Sequence, residues 1–118
     1  MMGRLTTHVL DTANGIPGAE IKVELYRIED TALHWVKTVY TNADGRTDEA
    51  ILDNESFNPG KYQLIFHTAD YFKQQGMSLP DIPFLDDVVI RFGIADSSSH
   101  YHVPLLVSPY SFSTYRGS

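Results

Sequence analysis

The stretch Glu20-Ile21-Lys22-Val23-Glu24-Leu25-Tyr26 decides the fold class, because apolar and charged residues alternate along it. Side chains of a β-strand point alternately to the two faces of a sheet, so this pattern predicts one buried face and one wet face. The segment Lys61-Tyr62-Gln63-Leu64-Ile65-Phe66-His67 repeats the pattern. The β-branched run Asp87-Val88-Val89-Ile90-Arg91-Phe92 predicts a strand that is covered more fully. Further strands are predicted over residues 5–10, 35–40, 101–107 and 110–115.

Residues that favour turns separate these runs. The sequence Asn42-Ala43-Asp44-Gly45 predicts a turn in which Gly45 supplies a positive φ. Pro104 lies inside a strand-like run, and because it has no N–H it predicts an edge strand or a bulge. The segment from Thr68 to Gly76 predicts a helix of about two turns, with Thr68 as its N-cap. Together these elements predict an all-β sandwich of two sheets with one short helix, forming one domain over residues 1–118.

The composition excludes several classes of protein. The chain has 118 residues, no Cys and a formal net charge of −6, with a pI of about 5.1. Without Cys there is no disulfide framework, no thiolate nucleophile and no Cys-based zinc site. The acidic balance argues against a nucleic-acid partner, and no apolar run is long enough to span a membrane. The N-terminus shows no signal-peptide core, so a cytoplasmic location is expected.

Five histidines, at positions 8, 34, 67, 100 and 102, are the first candidates for chemistry. His34 and His67 have no obvious partner, so surface or structural roles are predicted for them. His100 and His102 are two residues apart on a predicted strand, which places both rings on one face about 7 Å apart. With His8 as a third ligand they could bind a metal. A general base or a structural role is favoured, because a zinc site needs three or four ligands and the alternating pair on the strand supplies only two.

The remaining candidates are individually weak. Spacing alone predicts a surface position on an edge strand for His8. Arg46 follows the Asp44-Gly45 turn and is either a solvated strand-end residue or a guanidinium fork for an oxygenated substrate. The C-terminal tail, residues 115–118 (Tyr115-Arg116-Gly117-Ser118), follows an alternating segment that predicts a strand. The tail is therefore expected to be held in place and to offer hydrogen-bond donors.

Three segments together resemble the family of transthyretin-like 5-hydroxyisourate hydrolases. Leu5-Thr6-Thr7-His8-Val9-Leu10-Asp11-Thr12, followed by Gly15 and Pro17, resembles its N-terminal signature. His102-Val103-Pro104-Leu105-Leu106-Val107-Ser108-Pro109, followed by the tail, resembles its C-terminal signature. The segment Thr41-Asn42-Ala43-Asp44-Gly45-Arg46 also fits the family pattern, so the resemblance covers essentially the whole chain.

The resemblance implies a fold, an assembly and a reaction. The fold would be a transthyretin-like (prealbumin-like) sandwich of eight strands whose edge strands pair across a dimer, and two dimers would stack into a homotetramer. The reaction would be hydrolysis of 5-hydroxyisourate to 2-oxo-4-hydroxy-4-carboxy-5-ureidoimidazoline, without a metal or another cofactor. Carried over by matching motif, the catalytic residues would be His8, Arg46 and His102. The substrate-binding residues would be His8, Arg46, Tyr115, Arg116, Gly117 and Ser118, in a channel between dimers.

This chemistry is physically coherent, and two other classes of function are considered beside it. A histidine that is partly buried beside an arginine is expected to have a lowered pKa, so it stays neutral and can accept a proton from water. Whether His8 or His102 is that base stays open, as does the role of His100. A carrier of the transthyretin type, which binds a small ligand and catalyses nothing, is the alternative on the same fold. A β-sandwich adhesion module is a third class and would be a monomer.

Overall fold

The protein is represented by a computed structural model that describes residues 3–117, and its regular elements are mainly β-strands arranged in two sheets. Among these described residues, two of the nine strands are only two residues long, and the one α-helix has seven residues. The predicted all-β sandwich with one short helix is therefore confirmed. The strands are β1 (Arg4–Asp11), β2 (Ile16–Pro17), β3 (Lys22–Glu29), β4 (Ala32–Tyr40), β5 (Leu52–Asp53), β6 (Gly60–Phe66), β7 (Val88–Ile94), β8 (His100–Val107) and β9 (Phe112–Thr114), and the helix is α1 (Thr68–Gln74).

The strand order places the two ends of the chain side by side. One sheet has the order β2-β1-β8-β9, with β5 also paired to β1, and the other has the order β4-β3-β6-β7. Strands β1 and β8 run parallel, with Arg4 opposite His100, Thr6 opposite His102 and His8 opposite Pro104. Residues almost one hundred positions apart in sequence thus become cross-strand neighbours.

The core lies between the sheets and follows the predicted alternation. Ile21, Val23 and Leu25 are at most 1% exposed, whereas the charged residues between them face outward. Burying apolar side chains in this way is the main favourable contribution to folding, at about 25 cal/mol per Å² of apolar surface. Strand β7 differs from the prediction, because Val89 is 47% exposed. The reason is that β7 alternates like the other strands, so Val88 and Ile90 face the core while Val89 lies on the outer face of the sheet.

The prediction that Pro104 marks an edge strand or a bulge is wrong. Strand β8 lies between β1 and β9, and its register with β1 is unbroken. The Gly117 N–H donates to the carbonyl of His102, so the backbone groups of Pro104, two residues later, face the same edge. Strand β9 has already ended at Thr114 before it reaches the position opposite Pro104. No N–H is required there, and the Pro104 carbonyl instead accepts a hydrogen bond from the Thr114 hydroxyl at 2.7 Å.

The helix lies where it was predicted, but its N-cap differs. His67 is the N-cap residue, and the Thr68 hydroxyl donates to the carbonyl of Asp86 at 3.2 Å. The buried Tyr71 of α1 donates its hydroxyl to a carboxylate oxygen of Asp11 at 2.8 Å, which ties the helix to the end of β1. Across residues 3–117, no helix is long and apolar enough to cross a membrane.

Candidate active site

The outer face of β1 and β8 forms the floor of an open cleft of about 360 Å³, called here the histidine cleft. Strand β1 buries Leu5, Thr7 and Val9 in the core and turns the residues between them outward. The loop that follows the Gly45 turn forms the opposite wall. The polar lining includes Arg4, Thr6, Arg46, Asp48, His100 and His102. The cleft therefore brings together two of the predicted catalytic residues, from segments distant in sequence.

A threonine hydroxyl joins two of the histidines. Thr6 Oγ1 lies 2.7 Å from His100 Nε2 and 2.8 Å from His102 Nδ1. The centroids of the two rings are 6.1 Å apart, so the prediction that both imidazoles share one face of a strand is confirmed. Because the ring of His102 is engaged by Thr6 through Nδ1, its other nitrogen, Nε2, is the one available to a water or a ligand.

The surroundings of both histidines favour the neutral imidazole. Burial lowers the pKa of His102, and the positive charge of Arg46 lowers it further, with smaller effects of His100 and His8. Burial also lowers the pKa of His100, and Arg4 adds to that effect. The expectation that a histidine beside an arginine would have a lowered pKa is met at His102. A neutral imidazole at neutral pH is a group that can accept a proton.

A tight turn presents Arg46 to the cleft. The side-chain oxygen of Asn42 accepts hydrogen bonds from the N–H groups of Asp44, at 2.9 Å, and Arg46, at 3.2 Å. Gly45 has a φ of 77°, as predicted, and its carbonyl accepts a hydrogen bond from the Val9 N–H on β1. His8 belongs to the same arrangement, because its Nε2 lies 3.0 Å from the Asp44 carbonyl oxygen. Strand β1 therefore holds the turn that carries the guanidinium.

The C-terminal tail reaches the histidine cleft at one residue. Gly117 donates its N–H to the His102 carbonyl at 2.7 Å, and a Cβ at Gly117 would lie 2.7 Å from Cδ2 of that ring. Arg116 points elsewhere, with its guanidinium 4.0 Å from the Tyr101 ring centroid. Tyr115 and Arg116 line a second pocket, between β7 and β8. Ser118 lies outside the described residues, and the substrate-binding role of the tail stays a prediction.

Two features of the cleft were not predicted. The sequence alone gives Thr6 no role, because its contacts depend on the pairing of β1 with β8. Arg4 was not singled out at all, although it faces His100 across that pairing. Its only signal in the sequence is that it lies an even number of residues from His8, which places both side chains on the same face of β1. Within residues 3–117, no three His, Asp or Glu side chains are placed so that they could hold a metal ion.

The other two histidines lie on the second sheet. His34 on β4 is exposed, as predicted. The prediction that His67 lacks a partner is wrong, because its Nε2 lies 2.6 Å from Glu24 Oε1 and its Nδ1 lies 3.3 Å from Asp87 Oδ1. The hydrogen bond from His67 lowers the pKa of Glu24, while burial raises that of Asp87. These partners come from β3 and from the start of β7, which only the folded sheet brings together.

Comparison with known sequences adds a family to this geometry. The sequence model of the HIUase/Transthyretin family matches residues 5–117. A 5-hydroxyisourate hydrolase of Pseudomonas aeruginosa is 60% identical over 99% of this chain and 93% of that protein. A 5-hydroxyisourate hydrolase 2 of Rhizobium meliloti is 58% identical over 98% of this chain and 97% of that protein.

Solved structures share the fold. An (S)-allantoin synthase superposes with a TM-score of 0.94 and 44% identity over 99% of this chain, which spans only 44% of that longer chain. The 5-hydroxyisourate hydrolase of Klebsiella pneumoniae has a TM-score of 0.82 and 31% identity, over 99% of this chain and 100% of that one. Sea bream transthyretin in complex with thyroxine has a TM-score of 0.85 and 26% identity, over 97% and 94%. The predicted transthyretin-like sandwich is thereby confirmed.

Proposed function

The chain belongs to the HIUase/Transthyretin family, and we propose that it is an enzyme that hydrolyses 5-hydroxyisourate. The observation that carries this proposal is the histidine cleft itself. It combines a neutral imidazole, His102, with a guanidinium, Arg46, whose charge helps to keep that imidazole neutral. A base and a fixed positive charge at one site are what the hydrolysis of a ring amide requires. The relatives named for this reaction share 60% and 58% of their residues with the chain.

The proposed reaction divides the work between these groups. An imidazole, His102 or His8, takes a proton from water, and the water oxygen forms a bond to a ring carbonyl carbon of the substrate. Arg46 stabilises the negative charge that develops on the carbonyl oxygen. The ring C–N bond then breaks, and the nitrogen leaves with the proton that the imidazole had taken. The product would be 2-oxo-4-hydroxy-4-carboxy-5-ureidoimidazoline, and neither a metal nor a covalent intermediate takes part.

The assembly proposed for this reaction is a homotetramer built as a dimer of dimers. Strands β7 and β9 each form one edge of a sheet, and both edges adjoin the pocket lined by Phe92, Tyr101 and Tyr115. Two chains could pair through these edges to extend both sheets. Stacking of two such dimers would cover the outer face of β1 and β8. The open histidine cleft would then become an enclosed site, which the C-terminal tail would help to close.

A carrier of small ligands is the second candidate, because sea bream transthyretin holds thyroxine on the same fold. The lining of the histidine cleft weighs against it. Arg4, Arg46, His100 and His102 offer charge and hydrogen bonds, whereas a site for an apolar ligand is lined mostly by apolar and aromatic side chains. The polar lining therefore favours the hydrolase.

A direct assay separates the two candidates. Hydroxyisourate is generated from urate with urate oxidase, and the decay of its ultraviolet absorbance is followed with and without the protein. We expect the protein to accelerate the decay in proportion to its concentration. Decay at the spontaneous rate, together with saturable binding of thyroxine by the same preparation, would overturn the hydrolase proposal in favour of the carrier.

A further inference from the structure

We propose that the Thr6 hydroxyl positions His102 and connects it to His100 as a proton relay. Thr6 would set which ring nitrogen of His102 carries the proton, and His100 would be the far end of the relay. The inference rests on the proposed hydrolase function for its kinetic consequence only. The hydrogen-bond arrangement is a property of the protein without substrate.

The Thr6 hydroxyl has a single hydrogen to share between the two rings. A threonine hydroxyl has one hydrogen to donate and can also accept, and Thr6 Oγ1 lies within hydrogen-bonding distance of one nitrogen on each ring. When both rings are neutral and the Thr6 hydrogen lies in one of these two contacts, Thr6 donates to one ring and accepts from the other. The protonation sites of His100 and His102 therefore depend on each other, although the two rings do not touch.

Only one of the two arrangements makes His102 a base at Nε2. In that arrangement the His102 Nδ1–H donates to Thr6, and the Thr6 hydroxyl donates to His100 Nε2. The lone pair of His102 Nε2 is then free to accept a proton from water. In the reverse arrangement His102 Nε2 carries a hydrogen and can only donate it. Thr6 is thus placed to do for His102 what a carboxylate or a carbonyl does for many catalytic histidines.

Each proton that enters the relay can be followed through the whole reaction. When His102 Nε2 takes a proton from water, the Nδ1 proton moves to Thr6 Oγ1, and the hydrogen of Thr6 moves to His100 Nε2. Thr6 ends unchanged, His102 is neutral with its proton on Nε2, and the positive charge is on His100. When His102 then gives the Nε2 proton to the departing ring nitrogen, the reverse transfer returns both rings to their starting state.

The charges around the relay fit this role. Burial and nearby cations lower the pKa of both histidines, so both rings are neutral at the start, as the shared hydrogen requires. The positive charge would pass from His102, where Arg46 disfavours it, to His100, where Arg4 disfavours it. Neither ring would therefore hold the proton permanently. Asp48 and Glu49 in the facing loop supply negative charge to the same cleft. The titratable and charged groups facing the two rings are Arg4 and His8 of β1 and Arg46, Asp48 and Glu49 of the loop.

The first test measures protonation without substrate. Histidine labelled with ¹⁵N is incorporated, and the chemical shifts of both ring nitrogens of His100 and His102 are read at neutral pH. We expect the proton of His102 on Nδ1 in the wild type and in Thr6→Ser, and a redistribution toward Nε2 in Thr6→Val, which keeps the shape but lacks the hydroxyl. The matched control is Thr12→Val, because the Thr12 hydroxyl bonds the Val107 carbonyl between the same two strands, away from the histidines.

A wild-type His102 protonated on Nε2, or a tautomer unchanged by Thr6→Val, would overturn the proposal whether or not the protein hydrolyses anything. The kinetic test follows on hydroxyisourate. Thr6→Val should lower kcat about 10- to 100-fold, less than the 100- to 10,000-fold that general acid–base catalysis typically contributes, because His102 itself remains, and KM should be nearly unchanged. It should also displace the acidic limb of the pH profile, and Thr6→Ser should restore both. Equal rates for the Ser and Val variants would contradict a role for the hydroxyl.

Discussion

The protonation state of a single side chain decides what the histidine cleft can do. Burial and like charge act in the same direction on His102, since both disfavour the imidazolium. An exposed histidine with an ordinary pKa near 6.5 would already be partly protonated at pH 7. At His102 the lowered pKa makes that protonated fraction smaller. The cationic neighbours that would hold an anionic substrate therefore also keep the base ready.

Removal of His102 tests its chemical role. His102→Ala should lower kcat by about two to four orders of magnitude, the range expected for loss of a general base, with the fold intact by circular dichroism. The matched control is His34→Ala, because His34 is exposed on the other sheet. Its turnover should equal that of the wild type. An unfolded His102→Ala protein would instead indicate a structural histidine.

The lowered pKa of His102 also predicts how stability depends on pH. The unfolded chain binds a proton at His102 near pH 6.5, whereas the folded chain does so only at lower pH, so the unfolded state holds more protons between these values. The free energy of unfolding should therefore fall as the pH drops from about 6.5 through the folded pKa. Urea unfolding at several pH values should show a steeper fall for the wild type than for His102→Ala. Parallel curves would contradict the lowered pKa.

At the scale of elements, the site depends on how strands and turns meet. The parallel pairing of β1 with β8 brings the histidines together, and the turn that follows β4 adds the guanidinium. Gly45 links the two, because its carbonyl accepts the Val9 N–H and its positive φ lets the turn lie against β1. Local backbone geometry is thus part of the active-site architecture.

Two glycines with similar backbone conformations allow the strain of a positive φ to be distinguished from a steric clash of an added Cβ. Gly15, at φ 69°, has open space where a Cβ would lie, whereas a Cβ at Gly45, at φ 77°, would collide with the Val9 carbonyl oxygen. Gly15→Ala should cost about 1 kcal/mol, the strain of a left-handed alanine. Gly45→Ala should cost more in urea unfolding and should also lower kcat/KM by displacing Arg46. Equal effects of the two variants would contradict the close approach.

The C-terminal tail should matter more for activity than for stability. Deletion of residues 115–118 removes the backbone hydrogen bond from Gly117 to His102, which contributes about 1 kcal/mol. Thermal unfolding should therefore shift by only about 4–8 °C. Turnover of hydroxyisourate should fall about tenfold or more, because the deletion leaves the site less completely enclosed. Full activity of the truncated chain would exclude the tail from the site.

At the scale of the whole molecule, the exposed surfaces indicate where another chain would bind. Within residues 3–117, the outer edges of β7 and β9 have no strand paired to them, and Val89 and Phe112 on these strands are 47% and 43% exposed. Exposed edges and apolar side chains together favour association, since unpaired strand edges readily add another strand. The proposed assembly covers both.

Light scattering tests the assembly directly. At micromolar concentration the measured mass should be about four times the 13.3 kDa mass of one chain. Dilution to the point of dissociation should reduce the specific activity, because an open cleft in a single chain lacks the wall that a facing dimer would supply in the proposed assembly. A stable monomer with full activity would contradict a site between dimers.

Much of this protein could be predicted from local patterns. Alternating residues such as Ile21, Val23 and Leu25 predicted the strands and the face that each buries, because a strand has a period of two whatever it pairs with. The turn glycine and the short helix were predicted for the same reason, since their backbone preferences are local. The shared motifs identified the family, and with it His8, Arg46 and His102 as candidates.

Pairing between distant segments could not be predicted from these patterns. The interior position of Pro104, the carboxylates around His67 and the hydroxyl between His100 and His102 all depend on which strand lies beside which. The alternation along a strand shows which face of the sheet each side chain occupies, but it does not show which residue of the neighbouring strand lies opposite. The sequence by itself thus determined the strands, their buried faces and the family. Only the tertiary structure decided which side chains meet, because those contacts form when segments distant in sequence, some of them nearly one hundred residues apart, pair in one register.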